Sequence, residues 1–257
     1  MIFETHAHYD DEAIDEDREA LLGSMRENGI EYIVNIGADL KTTANTVALT
    51  EKYPFIYGAA GVHPDMTKEL NEENFAWLEE QCRKERIVAV GEIGLDYYWD
   101  TCPRERQKEV FIAQLELAKK YDLPVVIHDR EAHGDTMDIL RQYKPKGVVH
   151  CFSGSVELAR ETVKLGMYIG LGGVVTFKNA RHSVEVAKDI PLDRLLTETD
   201  APYMAPVPFR GKRCDSSMIA YDAAKIAEVR GITAQEVLTA ACENACRLFN
   251  ISRDICK

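Results

Sequence analysis

Residues 87–98, IVAVGEIGLDYY, hold the pattern from which the architecture can be predicted. The apolar run at 87–90 is typical of a buried strand, and the polar residue Glu92 follows it closely. Short apolar runs of this kind alternate with longer amphipathic stretches along the whole chain. We count eight runs, at residues 2–3, 32–36, 55–59, 87–90, 123–127, 147–149, 167–171 and 195–196. Eight strand–helix repeats in 257 residues predict an α/β fold, a single (β/α)8 TIM barrel over residues 1–257.

The stretches between the runs carry helical signals. Residues 104–121 place apolar side chains at roughly helical spacing, and Asn71 precedes acidic residues in a way that suits a helix start. The predicted helices include residues 15–28, 42–52, 71–83, 104–121 and 156–165. Residues 218–249 predict two extra C-terminal helices that are split at residues 230–233. We find no linker, low-complexity tract or solenoid repeat, so we expect one domain.

Composition and charge exclude several classes of protein. A hydrophobic share of 46% and a charged share of 29% exclude a disordered chain. The formal net charge of −12 argues against a protein that coats nucleic acid electrostatically. It does not exclude a nuclease, because bound divalent cations can reverse the sign of the electrostatic potential in a cleft.

Cysteine usage and hydropathy bear on the compartment. The seven cysteines are an odd number and form no CxxC pair, so a reducing compartment is the simplest interpretation. We see no secretory signal and no apolar stretch long enough to span a bilayer. We therefore expect a cytoplasmic protein with no membrane partner.

Polar side chains that can bind metal follow the apolar runs closely, where a barrel carries its chemistry. His6 and His8 are two apart on an extended segment, so they share a face and can chelate one ion. Four histidines and two acids exceed one tetrahedral site and fit two divalent ions that share a carboxylate. These six candidate ligands are His6, His8, Glu92, His128, His150 and Asp200. His63 has two possible roles: a structural one, or a contact with the candidate ligands or the substrate.

Seven segments, spread in order over residues 4–213, carry a family resemblance. They are ETHAHYD (4–10), GVHP (61–64), VAVGEIGLDYY (88–98), PVVIHDR (124–130), VVHCFSG (148–154), VVTFKNA (174–180) and LLTETDAPYMAPVPFRGKR (195–213). Through these segments the chain resembles the TatD family of metal-dependent deoxyribonucleases, within the wider group of amidohydrolase-like barrels. The resemblance covers nearly the whole chain.

The resemblance implies a barrel with two divalent ions of Mg, Mn or Zn, and no organic cofactor. His6, His8, Glu92 and Asp200 would bind one ion, and Glu92, His128 and His150 would bind the other. Glu92 would bridge the ions, and Asp200 would accept a proton from a metal-activated water. The implied activity is the hydrolysis of phosphodiester bonds in DNA. Removal of nucleotides from an end, as by an exonuclease, is one form that this activity can take. Barrels of this kind and size are often monomers, so we expect a monomer.

Basic and aromatic residues near these segments fit a phosphate-bearing substrate. Arg210, Lys212 and Arg213 form a basic patch, and Arg130 and Lys178 are weaker phosphate-binding candidates. Residues 97–99, Tyr-Tyr-Trp, could stack on bases or pack in the core. Asp96 could orient a ligand or hold Arg130.

The chain departs from the usual family pattern at two places. Phe209 stands where many members have histidine, and Cys214-Asp215-Ser216 replaces the common Asn-Glu-Pro. These changes bear on substrate preference and leave the six candidate ligands intact.

Two other functions remain as alternatives. The same site could serve an amidohydrolase or deacylase that acts on a small molecule or on aminoacyl-tRNA, because bound metal also supports attack at carbonyl centres. A non-catalytic scaffold is the third alternative, and it would need no intact ligand set.

Overall fold

Eight parallel strands form the barrel in the computed structural model, which describes residues 1–99 and 101–252. The strands pair in chain order from β1 to β8. A bridge between Ala7 and Ala201, with a hydrogen bond from the Asp200 N–H to the His6 carbonyl (2.9 Å), joins the segment after the last strand to the end of the first. The predicted (β/α)8 barrel is therefore confirmed. The strands are β1 (Ile2–Ala7), β2 (Ile30–Ile36), β3 (Ile56–Ala60), β4 (Ile87–Asp96), β5 (Val125–Arg130), β6 (Gly147–Val149), β7 (Tyr168–Leu171) and β8 (Leu195–Thr197).

Helices surround the strands, and the last two are the extra C-terminal pair that the sequence predicts. The pair splits where expected, because Gly231 ends one helix with a φ of 70° and Thr233 caps the next. Asn71 also caps its helix, through a hydrogen bond from the Asn74 N–H (2.9 Å). The helices are α1 (Arg18–Ser24), α2 (Leu40–Lys52), α3 (Glu72–Cys82), α4 (Arg104–Lys120), α5 (His133–Tyr143), α6 (Val156–Lys164), α7 (Arg181–Asp189), α8 (Ile219–Arg230) and α9 (Ala234–Phe249).

Several strands continue past their apolar runs, so some polar residues lie inside strands and not after them. β4 extends to Asp96 and pairs with β5 as far as Arg130. Glu92 and His128 are therefore strand residues. Gly94 makes this pairing possible, because a Cβ there would lie 2.0 Å from the His128 carbonyl oxygen. The apolar runs therefore mark only part of the length of these strands, which continue through polar residues toward the mouth of the barrel.

None of the helices in the described part of the chain is both long and apolar enough to cross a membrane. The six cysteines within that part form no disulfide bond with one another, and Cys256 lies outside it.

Candidate metal centre

The six candidate ligands lie together at the carboxyl end of the barrel strands. The Nε2 atoms of His6 and His8 are 3.3 Å apart, and Asp200 Oδ1 lies 3.5 and 3.4 Å from them. On the other side, His128 Nδ1 lies 3.4 Å from His150 Nε2. Residues far apart in the chain thus form one cluster of nitrogen and oxygen ligand atoms.

Glu92 lies between two groups of histidines. Its Oε1 is 2.8 Å from His128 Nδ1 and 2.6 Å from His150 Nε2, whereas its Oε2 faces His6 Nε2 at 3.7 Å. Each carboxylate oxygen thus faces a different group. The cluster fits divalent cations, because imidazole nitrogens and carboxylate oxygens are typical ligands and here they face mainly one another.

Hydrogen bonds behind the cluster orient two of the histidines. His8 Nδ1 donates to the Ile36 carbonyl (3.1 Å), which turns its Nε2 toward the cluster. His128 Nε2 contacts Asp96 Oδ2 at 2.9 Å, which leaves Nδ1 facing Glu92. Of the two roles considered for Asp96, the contact with His128 favours the orientation of a candidate ligand. Such partners fix the ring orientation and tautomer of metal-binding histidines.

The pKa values of the clustered side chains reflect the closeness of opposite charges. Burial opposes protonation of His8 and His128, but neighbouring carboxylates outweigh it. Asp200 and Glu92 raise the pKa of His8 to about 9, and Asp96 and Glu92 raise the pKa of His128 to about 10. Burial would raise the pKa of Glu92, yet its histidine neighbours hold that pKa well below its ordinary value. A cation that enters must therefore compete with protons on the histidines.

His63 lies at the edge of the cluster. Its Nε2 is 4.0 Å from Glu92 Oε1, and its ring meets the His128 ring edge-on at a centroid distance of 4.4 Å. Its Nδ1 accepts a hydrogen bond from the Asp65 N–H (3.2 Å). Burial lowers the pKa of His63 to about 4, so the ring is neutral at neutral pH. This position suits a contact with ligands or substrate.

Two buried carboxylates beneath the cluster were missed in the sequence. One ligand atom from each of Glu198, His6 and His150 lies within 4.8 Å of the others. Burial raises the pKa of Glu198 to about 7 and that of Glu4 to about 8. For Glu4 a signal was available, because it precedes His6 by two residues on the same strand, so the two side chains share a face.

Glu4 is held by four hydrogen bonds inside the barrel. Its Oε1 accepts from the His6 and Thr199 N–H groups (3.0 Å each), and its Oε2 accepts from the hydroxyls of Thr199 (2.6 Å) and Ser216 (3.0 Å). Ser216, one of the departures from the family pattern, thus supports the base of the site. Phe209, the other departure, packs edge-on against Tyr221 with ring centroids 5.1 Å apart.

We expect Glu4 to make stability depend on pH. Its pKa in the folded protein, about 8, lies above the ordinary value of 4.5. Its contribution to the free energy of unfolding is therefore full below about pH 4.5 and is lost as pH rises to about 8. The Glu4→Gln variant should unfold with a flatter pH dependence, as measured by urea denaturation in chelator. The exposed Glu16→Gln is the control, and an unchanged slope in Glu4→Gln would contradict this prediction.

The predicted phosphate-binding residues have different surroundings. Arg210 stacks on Phe177, with Cζ 4.4 Å from the ring centroid, and Lys178 and Lys212 are exposed. Arg213 instead makes a bidentate ion pair with the Asp17 carboxylate (2.8 and 2.6 Å). Because the Arg213 guanidinium already has the Asp17 carboxylate as its partner, we do not assign Arg213 to phosphate binding.

A cavity of about 290 Å³ opens beside the cluster. Asp200 lines it with its side chain 23% exposed, so this carboxylate can reach a bound molecule. The backbone of Asp200 has a φ of 69°, in the left-handed region that few non-glycine residues adopt. Other lining residues are His128, Arg130, His150, Phe152 and Met204.

Known proteins are similar to this chain in sequence and in architecture. A family model described as TatD related DNase matches residues 3–250. The uncharacterized metal-dependent hydrolase YabD of Bacillus subtilis is 45% identical over 255 residues, which cover 98% of this chain and 100% of the relative. The crystal structure of YjjV, a TatD homologue from Escherichia coli, superposes with a TM-score of 0.92 at 36% identity and covers 98% of each chain. A TatD family hydrolase from Entamoeba histolytica shares the fold, with a TM-score of 0.88 at 24% identity over 96% of this chain and 97% of that one.

Proposed function

The chain belongs to the TatD-related DNase family and is a metal-dependent hydrolase, and from this premise we propose that it cleaves phosphodiester bonds in DNA. The observation that carries the proposal is the placement of Glu92 between two groups of histidines at the open end of the barrel. The free cysteines support a reducing, cytoplasmic location for this activity.

We assign the ligands of two divalent ions from the contacts of Glu92. His6, His8 and Asp200 lie on the side of its Oε2 and would hold one ion, while His128 and His150 lie on the side of its Oε1 and would hold the other. When bound, a pair of divalent ions lowers the pKa of a water molecule and neutralises charge on the phosphoryl oxygens. Mg, Mn and Zn all suit these nitrogen and oxygen ligands.

Asp200 is the residue that we assign to proton transfer. It is the most exposed carboxylate of the cluster and lines the cavity, whereas Glu92 is 4% exposed. In the proposed reaction, a water oxygen attacks phosphorus and its proton passes to Asp200. The P–O bond to the deoxyribose oxygen of the neighbouring nucleotide breaks, and that oxygen takes up a proton from solvent to leave as a hydroxyl. Glu92 keeps its charge throughout, because it accepts contacts from three histidines.

Cationic side chains around the mouth support a phosphate-bearing substrate. Arg130 lines the cavity. Arg210 lies in the loop after β8, and Lys178 lies in the loop after β7. Their charge lies close to a cluster that gains further positive charge when ions bind. DNA can therefore approach this end of the barrel even though the net charge of the chain is −12.

The test is a substrate panel with the metal-loaded protein. We expect shortened products from end-labelled single- or double-stranded DNA with Mg, Mn or Zn, and none with excess chelator. End-labelling at either terminus separates removal of single nucleotides from internal cleavage. Carboxyl-ester or amide turnover far above DNA turnover would contradict the proposal and favour a deacylase.

A further inference from the structure

Two large aromatic side chains next to the metal centre are exposed. Tyr98 is 55% exposed and Trp99 is 58% exposed, and their rings meet edge-on with centroids 5.0 Å apart. The Arg130 guanidinium carbon lies 4.0 Å from the Tyr98 centroid and 5.5 Å from that of Trp99. We call these three residues the stacking platform. Burial of these rings would stabilise the fold, yet they are exposed to solvent. An exposed aromatic surface of this size is therefore a candidate binding surface.

One carboxylate connects the stacking platform to the metal centre. Asp96 Oδ1 accepts hydrogen bonds from the N–H groups of Tyr98 (2.9 Å) and Trp99 (3.1 Å). The other oxygen of Asp96 contacts His128 Nε2 at 2.9 Å. The backbone of the platform is thus fixed next to the residue that orients a candidate ligand.

The neighbouring Tyr97 shows what a structural role looks like in the same run. Its hydroxyl donates to Asp135 Oδ2 (2.6 Å), and Arg104 covers its ring at 4.2 Å. Tyr97 also packs against the hydrophobic core. The run YYW therefore divides into one packed tyrosine and two exposed aromatic rings.

Arg130 also differs from a structural arginine with a similar stack. Arg86 lies 4.4 Å from the Tyr57 centroid, at the opposite end of the barrel, and donates to the carbonyls of Pro54 (2.5 Å) and Ile56 (2.9 Å). The Arg130 guanidinium has neither an ion pair nor a hydrogen bond to any other residue within 1–99 and 101–252. A stacked guanidinium keeps its in-plane N–H groups available, and these suit a phosphate.

We propose that the stacking platform binds an unpaired nucleotide next to the scissile phosphodiester, an inference that rests on the proposed function. The base stacks on the ring of Trp99, which stands edge-on to Tyr98. Tyr98 holds the Arg130 guanidinium against its own ring, and Arg130 binds the adjoining phosphate. Arg130 also lines the cavity beside Asp200, which places this phosphate at the edge of the reaction site. Stacking on ring faces is tolerant of base identity, so the platform selects an unpaired base and not a particular sequence.

The first test uses the fluorescence of Trp99. The chain has two tryptophans, so Trp77→Phe leaves Trp99 as the sole reporter. Stopped-flow mixing of the metal-loaded variant with a short single-stranded oligodeoxynucleotide should quench the emission before turnover. An abasic oligonucleotide of equal length, with the same phosphates, should not. Equal quenching by both would overturn the stacking of a base on Trp99.

The second test needs no change at Trp77. Trp99→Ala should raise KM for the single-stranded oligonucleotide by about tenfold, with kcat within about twofold of the original. The control is Arg194→Gln, which removes a similar stack on Tyr168 at the amino-terminal end of β8. If the unmodified protein cleaves DNA and Trp99→Ala has an unchanged KM, the proposed role of the stacking platform is wrong, and the proposed function stands. Absence of DNA cleavage by the unmodified protein would instead contradict the proposed function.

Discussion

Replacement of Asp200 by asparagine is expected to lower kcat on DNA by about 10²–10⁴-fold, with little change in KM. Asparagine keeps the shape of the side chain and one oxygen toward His6 and His8, which lie 3.5 and 3.4 Å from Asp200 Oδ1. An amide does not accept a proton at neutral pH, so the step that we assign to this carboxylate is lost. A defect in kcat, at saturating metal and substrate, is the specific expectation.

The measurement pairs steady-state kinetics with metal content. Activity is followed while the metal concentration is raised to saturation, and bound metal is counted by mass spectrometry after dialysis. Asp193→Asn is the matched control, because Asp193 is exposed and precedes the same strand at the opposite end of the barrel. If Asp200→Asn at saturating metal kept activity within about tenfold of the original, another residue would have to accept the proton.

The sequence predicts the barrel and the convergence of the six candidate ligands because both depend on a repeated local pattern. Each apolar run forms a buried strand, and parallel strands bring their carboxyl ends to one mouth. Even the three-residue strand Leu195–Thr197 occurs where its short apolar run lies. The sequence does not predict how far each strand extends, since pairing between β4 and β5 continues through polar residues to Arg130.

Contacts between distant segments explain what the sequence does not predict. Arg213 belongs to a basic patch by sequence, but the loop that carries it returns to Asp17, 196 residues away. Asp96 had two possible partners, and the pairing of β4 with β5 places His128, not Arg130, against its Oδ2. In the run at 97–99, composition alone does not show which ring packs and which rings are exposed. Tertiary contacts decide these cases, and local propensity carries no information about them.

Replacement of Glu92 by glutamine is expected to remove both ions and not just one. The two oxygens of Glu92 face different histidine groups, at 3.7 Å toward His6 and at 2.8 and 2.6 Å toward His128 and His150. A glutamine offers one neutral oxygen and an N–H₂ group that repels a cation. We therefore expect bound metal to fall from about two ions per chain to about none after dialysis.

Two single-site variants make this prediction specific to a bridging carboxylate. His8→Asn removes a ligand on the side of Oε2, and His128→Asn removes one on the side of Oε1, so each should keep about one ion. In the proposed arrangement the same carboxylate contributes to both sites, so only Glu92→Gln should resemble the loss of both. A Glu92→Gln protein that kept one tightly bound ion would show that Glu92 serves a single site, and the division of the cluster around its two oxygens would then be wrong.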